Sequence, residues 1–251
     1  MRPREVVVHP DAAVLAQAVA ARLLTRLLDV QSVRRPVHVG VTGGTIGTEV
    51  LAAVAASPLR DAVDWSGVHV WWGDERFLPD GDAERNETLA RRALIGPLGD
   101  ALPPGNVHPM PAARAPGIDS PEDAAAAYAL ELAGFAGDGP AGVPEFDVLM
   151  FGMGPDGHVA SLFPGNVALD ATGTSTVGVH GSPKPPADRV SLTFEAIRTA
   201  REVWVIAAGA GKEPAVTAAL AGAPAVEVPV VGAVGHERTL WLLDAAATPP
   251  G

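Results

Sequence analysis

The stretch Phe146–Gly165, FDVLMFGMGPDGHVASLFPG, decides the fold of this sequence. It begins with an apolar run, Phe146–Phe151, that contains enough large side chains for a buried strand. The run ends at Gly152, and small turn-forming residues then lead to His158. A parallel α/β sheet presents functional side chains in such turns, at the carboxyl ends of its strands. The stretch therefore predicts an α/β sheet with His158 at its carboxyl edge, followed by a helix opening within Val159–Phe163.

Strands and helices alternate along the rest of the chain. Predicted strands are Glu5–Val8, Pro36–Val41, Val68–Trp72, Arg189–Thr193, Val203–Ala207 and Thr239–Leu243. Predicted helices are Ala12–Leu28 after the cap Asp11, one from Thr45 through Val54, Glu84–Leu94, Ala124–Leu132 after Ser120 and Pro121, a short one after Thr193, and one from Lys212 to Leu220. Leu98–Gly117 and Gly165–Asp188, rich in glycine and proline, are predicted loops. The pattern predicts one Rossmann-like α/β domain over residues 1–251, with a doubly wound, mostly parallel sheet flanked by helices.

Composition limits the class of protein. The chain has 251 residues, of which 47% are hydrophobic and 19% charged, as expected for a compact domain. It has no cysteine, which excludes disulfides, thiolate catalysis and cysteine-bound zinc. No apolar run reaches a membrane-spanning length, and the N-terminus lacks the apolar segment of a secretory signal. We therefore expect a cytoplasmic protein without a membrane partner.

The net charge of −11 argues against a nucleic-acid partner. It does not exclude a small anionic ligand, because a phosphate responds to nearby N–H groups and cations rather than to the total charge.

Glycines follow the second predicted strand in the segment Thr42–Thr45. The backbone N–H groups of Gly43, Gly44 and Thr45 would meet a phosphate at the N-terminus of the next helix. The segment lacks the Gly-Lys-Ser/Thr of a Walker loop and is no GxGxxG motif. An ordinary tight turn explains the same residues equally well.

Charged residues follow the third predicted strand. At a carboxyl edge, Asp74 would offer a carboxylate to sugar hydroxyls and Arg76 a guanidinium to a developing oxyanion. Asn86 lies in the next predicted helix, at a spacing along the chain that would bring its polar side chain back to this edge. A solvated turn and a surface asparagine are the alternatives.

Two cations flank the last part of the predicted edge. Arg189 follows the segment SPKPP, and Lys212 opens a helix after a strand and two glycines. Both are candidates for a phosphate site, whereas we interpret Lys184 as ordinary surface charge. His158 by itself fits a capping residue of a tight turn as well as a catalytic base.

Together these segments resemble the 6-phosphogluconolactonase family of the glucosamine-6-phosphate isomerase/deaminase-like superfamily. VTGGT is similar to the family's phosphate loop, and WWGDERFLP followed by Asn86 is similar to its Asp-Glu-Arg segment. GMGPDGHVASLFPG is similar to the family's signature. SPKPPADRVSLTF is similar to the segment that carries the family's arginine. The sequence departs from the family at Thr42, Thr45, Arg85 and Val159. None of these changes removes a group that the chemistry needs.

The resemblance implies hydrolysis of 6-phospho-D-glucono-1,5-lactone to 6-phosphogluconate in the oxidative pentose phosphate pathway, without cofactor or metal. His158 would be the general base, since histidine has an ordinary pKa of about 6.5. Asp156 would orient the imidazole or hold a substrate hydroxyl, Arg76 would stabilise the oxyanion, and Asp74 completes the catalytic set. The substrate and phosphate would be bound by Gly43, Gly44, Thr45, Asn86, Arg189 and Lys212.

Two other functions remain open. A glucosamine-6-phosphate deaminase-like isomerase shares the fold. The histidine segment of that family carries a carboxylate at the position where this chain has Phe163, which disfavours the isomerase. A non-catalytic sugar-phosphate sensor would usually carry a DNA-binding segment, for which we expect no room before Glu5 or after Leu243. The chain is expected to be a monomer or a homodimer.

Overall fold

The computed structural model describes residues 4–137 and 140–249. Its strands are β1 (Glu5–His9), β2 (Val37–Val41), β3 (Val68–Trp72), β4 (Asp74–Arg76), β5 (Val107–His108), β6 (Val148–Gly152), β7 (Thr176–Val179), β8 (Arg189–Leu192), β9 (Glu202–Ala207) and β10 (Arg238–Asp244). Its helices are α1 (Ala12–Gln31), α2 (Gly44–Ala56), α3 (Asn86–Ala90), α4 (Gly96–Leu98), α5 (Pro121–Ala133), α6 (Phe194–Ile197) and α7 (Glu213–Leu220). The elements confirm the predicted α/β class.

The main sheet has seven strands in the order β1-β10-β9-β6-β2-β3-β5. Each neighbouring pair in it is parallel. Every residue of β2 and β9 is buried, which explains the continuous apolar runs of these strands. The strand order reverses between β2 and β6, so a crevice opens where the loops following these two strands diverge.

Large aromatic side chains fill the space between the sheet and its helices. Trp71, Trp72, Trp204 and Trp241 are each no more than 1% exposed. Such side chains bury the most apolar area per residue and dominate the energetics of a core. No helix among the described residues is long and apolar enough to cross a membrane.

A second, antiparallel sheet has the order β4-β8-β7. The sequence predicted a loop at Asp74–Arg76 and a strand of the main sheet at Arg189–Thr193, and both placements are wrong. The chain leaves the main sheet at Gly73, where any Cβ would overlap the Phe151 ring. The N–H of Leu192 donates to the Gly73 carbonyl oxygen (2.9 Å), which starts the pairing of β4 with β8.

The predicted helix within Val159–Phe163 is absent. Instead Val159 forms isolated bridges with Met153 and Leu162, and Ala160 adopts a φ of 50°. Val159, Leu162 and Phe163 are at most 3% exposed, so three apolar side chains enter the core within five residues. A tight turn buries them all, whereas a helix would turn part of the segment towards solvent.

Both predicted glycine- and proline-rich loops contain short strands. β5 lies within Leu98–Gly117, and β7 lies within Gly165–Asp188. Neither strand has the length or apolar alternation that marks a strand in sequence, and each forms because a neighbouring strand supplies its backbone partners.

The helix caps follow the sequence. The Asp11 carboxylate accepts from the Val14 N–H at 2.8 Å, and Ser120 with Asp123 forms a capping box. The helix predicted over Glu84–Leu94 begins at Asn86 and continues through a π-helical turn into α4.

Candidate active site

A cleft of about 230 Å³ occupies the crevice at the carboxyl ends of β2 and β6. Eight of the predicted site residues border it: Gly43, Gly44, Asp74, Arg76, Asn86, His158, Arg189 and Lys212. Asp156 contacts His158 directly. Thr45 borders two adjoining cavities instead of this cleft. The structure thus brings nearly all the predicted residues together.

His158 and Asp156 form a hydrogen-bonded pair. The imidazole Nδ1 lies 2.6 Å from Asp156 Oδ1, which also receives the His158 backbone N–H at 3.3 Å. A carboxylate only accepts hydrogen bonds, so in the neutral form of the ring Nδ1 carries the proton and Nε2 keeps a free lone pair. The imidazole is therefore oriented for proton transfer through Nε2.

Asp156 remains ionised at neutral pH. Burial by itself raises the pKa of this carboxyl, but the hydrogen bond from His158 and the charge of that ring lower the pKa to about 2. The pair therefore consists of a carboxylate and a histidine whose Nδ1–H it holds.

The turn that carries the pair depends on Gly154. A Cβ at this position would overlap both the His158 ring and the Asp156 carboxylate. The Gly154 N–H donates to the His158 carbonyl oxygen at 3.0 Å, which closes the turn. On the cleft side the Phe163 ring packs against the imidazole, with 4.6 Å between the ring centroids. Phe163 therefore gives the imidazole an apolar neighbour.

Asp74 is fixed by a residue that the sequence analysis did not select. The fully buried Ser161 donates its hydroxyl to Asp74 Oδ2 at 2.7 Å. Asn86 Nδ2 donates to the Asp74 carbonyl oxygen at 2.9 Å. Ser161 lies in the segment predicted as a helix, where no pattern marked it as a partner of Asp74.

Asn86, which borders the cleft, has a buried side-chain acceptor that is not used by the described residues. Its Oδ1 is buried and accepts no hydrogen bond from any described residue. A buried polar atom without a partner costs free energy, so this oxygen is suited to accept a hydroxyl of a ligand. Gly43 lies against the same amide, and any side chain there would overlap it.

Glu75, the neighbour of Asp74, points into the protein. Its carboxylate accepts the backbone N–H groups of Arg76 (2.8 Å), Asn86 (2.7 Å) and Glu87 (2.9 Å). Glu75 thereby caps α3 and joins the strand of Arg76 to the helix of Asn86. Burial raises the pKa of Glu75 to about 7 against the lowering effect of Arg85 and these three N–H groups.

Glu75→Gln should change how stability depends on pH. The pKa of Glu75 is about 7 in the folded protein and ordinarily 4.5, so between these values the folded state binds the proton more strongly. The contribution of Glu75 to stability is therefore complete below pH 4.5 and lost as pH rises through 7. Relative to the non-titrating variant, the parent's free energy of unfolding should fall by about 3 kcal/mol from pH 4 to pH 8. Urea unfolding at both pH values measures this, and a constant or rising difference would contradict it.

Among the described residues, four cations border the cleft: Arg76, Lys184, Arg189 and Lys212. Lys184, interpreted from the sequence as ordinary surface charge, is exposed but lies at the rim of the cleft, on the loop before β8. The cations outnumber the two carboxylates of the site, Asp74 and Asp156. A chain of net charge −11 therefore concentrates positive charge where an anion would bind.

Arg189 is mainly occupied by backbone contacts. Its Nε donates to the Pro186 carbonyl oxygen at 2.9 Å, and its Nη2 donates to those of Lys184 (3.0 Å) and Pro185 (3.2 Å). The guanidinium therefore holds the loop that precedes β8 while it borders the cleft.

The N-terminus of α2 also faces the cleft. Its cap residue Gly43 offers no side-chain hydrogen bond to the first turn, so the N–H groups of that turn are available to an anion. Thr45 contributes to this end of the helix through its N–H rather than as a cleft-lining side chain. Across the described residues, no cluster of three or more His, Cys, Asp or Glu side chains is arranged to hold a metal ion.

Comparison with known proteins identifies similar chains. Residues 10–241 match the sequence family described as glucosamine-6-phosphate isomerases/6-phosphogluconolactonase. A 6-phosphogluconolactonase of Streptomyces coelicolor is 53% identical over 97% of this chain and 93% of its own length. The structure of a 6-phosphogluconolactonase from Trypanosoma brucei superposes with a TM-score of 0.81 at 25% identity, covering 98% of this chain and 97% of that one. A monomeric glucosamine-6-phosphate deaminase has a TM-score of 0.78 at 15% identity, covering 97% and 98%, a likeness of fold alone.

Proposed function

Because the chain belongs to the family of glucosamine-6-phosphate isomerases and 6-phosphogluconolactonases, we propose that it hydrolyses 6-phospho-D-glucono-1,5-lactone to 6-phosphogluconate. The reaction is a step of the oxidative pentose phosphate pathway. One observation carries the proposal: an Asp156–His158 pair with a free Nε2 borders a cleft lined by four cations. Ester hydrolysis of an anionic substrate needs a base and a cationic binding site.

Nε2 of His158 removes a proton from a water molecule as the water oxygen bonds to the lactone carbonyl carbon. Asp156 keeps the ring oriented and stabilises the imidazolium that forms. Arg76 stabilises the negative charge on the carbonyl oxygen of the tetrahedral intermediate. The bond between the carbonyl carbon and the ring oxygen then breaks, and the ring oxygen receives the proton from Nε2. The product is the open-chain acid.

Substrate binding places the carbonyl beside His158. Lys212, Arg189 and the first-turn N–H groups of α2 at Gly43, Gly44 and Thr45 hold the 6-phosphate. The Asp74 carboxylate accepts hydrogen bonds from sugar hydroxyls while Ser161 fixes its other oxygen. Asn86 Oδ1 accepts a further hydroxyl. Anchoring both ends of the sugar lowers the entropic cost of bringing the ester to the base.

The deaminase-like alternative is weaker. Moving protons between neighbouring carbons requires additional acids and bases, and the residue beside the imidazole is Phe163. No structural observation favours a non-catalytic sensor. The cytoplasmic location, the absence of a nucleic-acid partner and the monomeric or dimeric state stay predictions.

The proposed reaction is tested by generating the lactone with glucose-6-phosphate dehydrogenase and following its decay. The purified protein should accelerate decay far above the spontaneous rate and in proportion to its concentration. Decay at the spontaneous rate would overturn the proposal.

Lys212→Met should mainly weaken substrate binding. Lys212 opens α7 beside the cleft, and burial, together with the nearby charge of Lys184, lowers its pKa against the effect of Asp156. Losing one phosphate contact should raise KM about tenfold while kcat changes little. Lys212→Arg, which retains the charge, should show a smaller rise in KM. Steady-state kinetics measure both constants, and an unchanged KM would remove Lys212 from the phosphate site.

A further inference from the structure

The sequence contains only two lysines, Lys184 and Lys212, beside sixteen arginines. Both lysines border the same cleft. A lysine carries a compact charge on a flexible stem, whereas arginine carries a planar group suited to fixed bidentate contacts. This chain thus confines its ammonium side chains to a single place.

Neither ammonium forms a close ion pair with a described residue. Among the described residues no carboxylate oxygen lies within 4.0 Å of either lysine nitrogen, although arginines elsewhere form many such pairs. The two lysines also repel each other, since the charge of Lys184 lowers the pKa of Lys212. An anion bound between them would relieve this repulsion and gain from both charges.

The loop that carries Lys184 is held in place by the protein. Arg189, 6% exposed, donates to the carbonyl oxygens of residues 184, 185 and 186. The Ser182 hydroxyl donates to the Lys184 carbonyl oxygen at 2.8 Å, and the Ser182 N–H donates to that of Ala187 at 2.9 Å. At the base of the loop His180 lies between Glu122 (2.7 Å) and Asp188 (2.8 Å). These bonds therefore hold the backbone of the loop and leave the Lys184 side chain exposed at the rim.

We propose that Lys184 is the second ammonium of the phosphate site and that, together with Lys212, it makes the site selective for a dianionic phosphate monoester. Arg189 positions the Lys184 loop in addition to its proposed contact with the phosphate. The proposal extends the function proposed above and depends on it for the identity of the substrate. A phosphate monoester carries close to two negative charges at neutral pH, which two ammonium groups match.

The test compares Lys184→Met with the parent on two substrates, the 6-phosphorylated lactone and unphosphorylated D-glucono-1,5-lactone. We expect KM for the phosphorylated lactone to rise about tenfold, with kcat within a factor of two. The ratio of kcat/KM for the phosphorylated over the unphosphorylated lactone should fall by a similar factor. Lys184→Arg should recover most of the loss.

Arg35→Met is the matched control. It removes one exposed positive charge, paired with Asp64, at the amino edge of the sheet. It should leave the selectivity ratio at the parent's value. An equal fall in Arg35→Met would mean that total charge, and not Lys184, sets selectivity, and an unchanged ratio in Lys184→Met would overturn the proposal.

Binding of inorganic phosphate separates this inference from the proposed reaction. Isothermal calorimetry should show phosphate binding to the parent and at least fivefold weaker binding to Lys184→Met and to Lys212→Met. If the parent binds phosphate in this way but does not hydrolyse the lactone, the proposed reaction fails while the two-lysine site stands. If the parent hydrolyses the lactone but Lys184→Met binds phosphate as the parent does, only the inference fails.

Chemical labelling supplies an independent readout, since only two lysine side chains can react. Reductive methylation followed by peptide mass spectrometry should modify both lysines in the free protein. Saturating 6-phosphogluconate should protect both. Protection of Lys212 with undiminished modification of Lys184 would place Lys184 outside the site.

Discussion

His158→Ala should lower kcat for lactone hydrolysis by about 10²- to 10⁴-fold, because it removes the only imidazole that borders the cleft among the described residues. The remaining cations and N–H groups would still bind the substrate, so KM should change little. Stopped-flow measurement on freshly generated lactone, corrected for spontaneous hydrolysis, gives both constants. The far-ultraviolet circular dichroism spectrum and the melting temperature should match those of the parent.

The matched variant is Asp156→Asn. It keeps the size of the side chain but removes the charge that stabilises the imidazolium and fixes the tautomer of His158. We expect a fall in kcat of about tenfold or more, smaller than that of His158→Ala. If a correctly folded His158→Ala protein retained the parent's kcat, the base would have to be another residue.

Gly154→Ala should reduce kcat by about 100-fold although it changes no group that touches the substrate. The added methyl would overlap both His158 Nδ1 and the Asp156 carboxylate, so the ring and its partner must move apart. An active site tolerates little displacement of its base, because proton transfer requires a fixed distance and angle. Steady-state kinetics of the purified variant provide the test.

Gly105→Ala is the control for this substitution. Its Cβ meets no atom within 4 Å, and its φ lies outside the left-handed region. It should keep the parent's kcat and melting temperature within error. If Gly154→Ala were as active as the parent, the close packing of the turn would not be needed to hold the catalytic pair.

The main sheet and most of the site were predictable because both depend on local patterns. Apolar runs such as Val203–Ala207 form strands buried on both faces, which leave a clear signal in sequence. The carboxyl ends of parallel strands meet at one edge of a sheet, so the sequence alone predicts that His158, Asp74 and Gly43 lie close together. The resemblance to a known family then supplied the chemistry.

The second sheet was not predictable from local sequence. β4 has three residues and β7 has four, too few for a periodic pattern. They form strands because β8 supplies backbone partners from a distant part of the chain. The expected helix after His158 failed for a related reason, since burial of Val159 and Leu162 outweighed local propensity.

Contacts between side chains were also invisible in the sequence. Lys184 lies in a proline-rich segment whose composition is typical of a surface loop, and only the bonds from Arg189 show that the loop is directed to the cleft. Ser161 looked like one more residue of a helix, although its hydroxyl fixes Asp74. Such roles depend on residues far apart in the chain, and one sequence contains no signal for them.

The pairing of β4 with β8 places Arg76 directly opposite Arg189. These residues are separated by more than a hundred positions, so they meet only through long-range pairing of the chain. Both border the cleft, and a fragment that ends before β8 would lack Arg189 and Lys212. Synthesis must therefore pass β8 before the full set of cations can line the cleft.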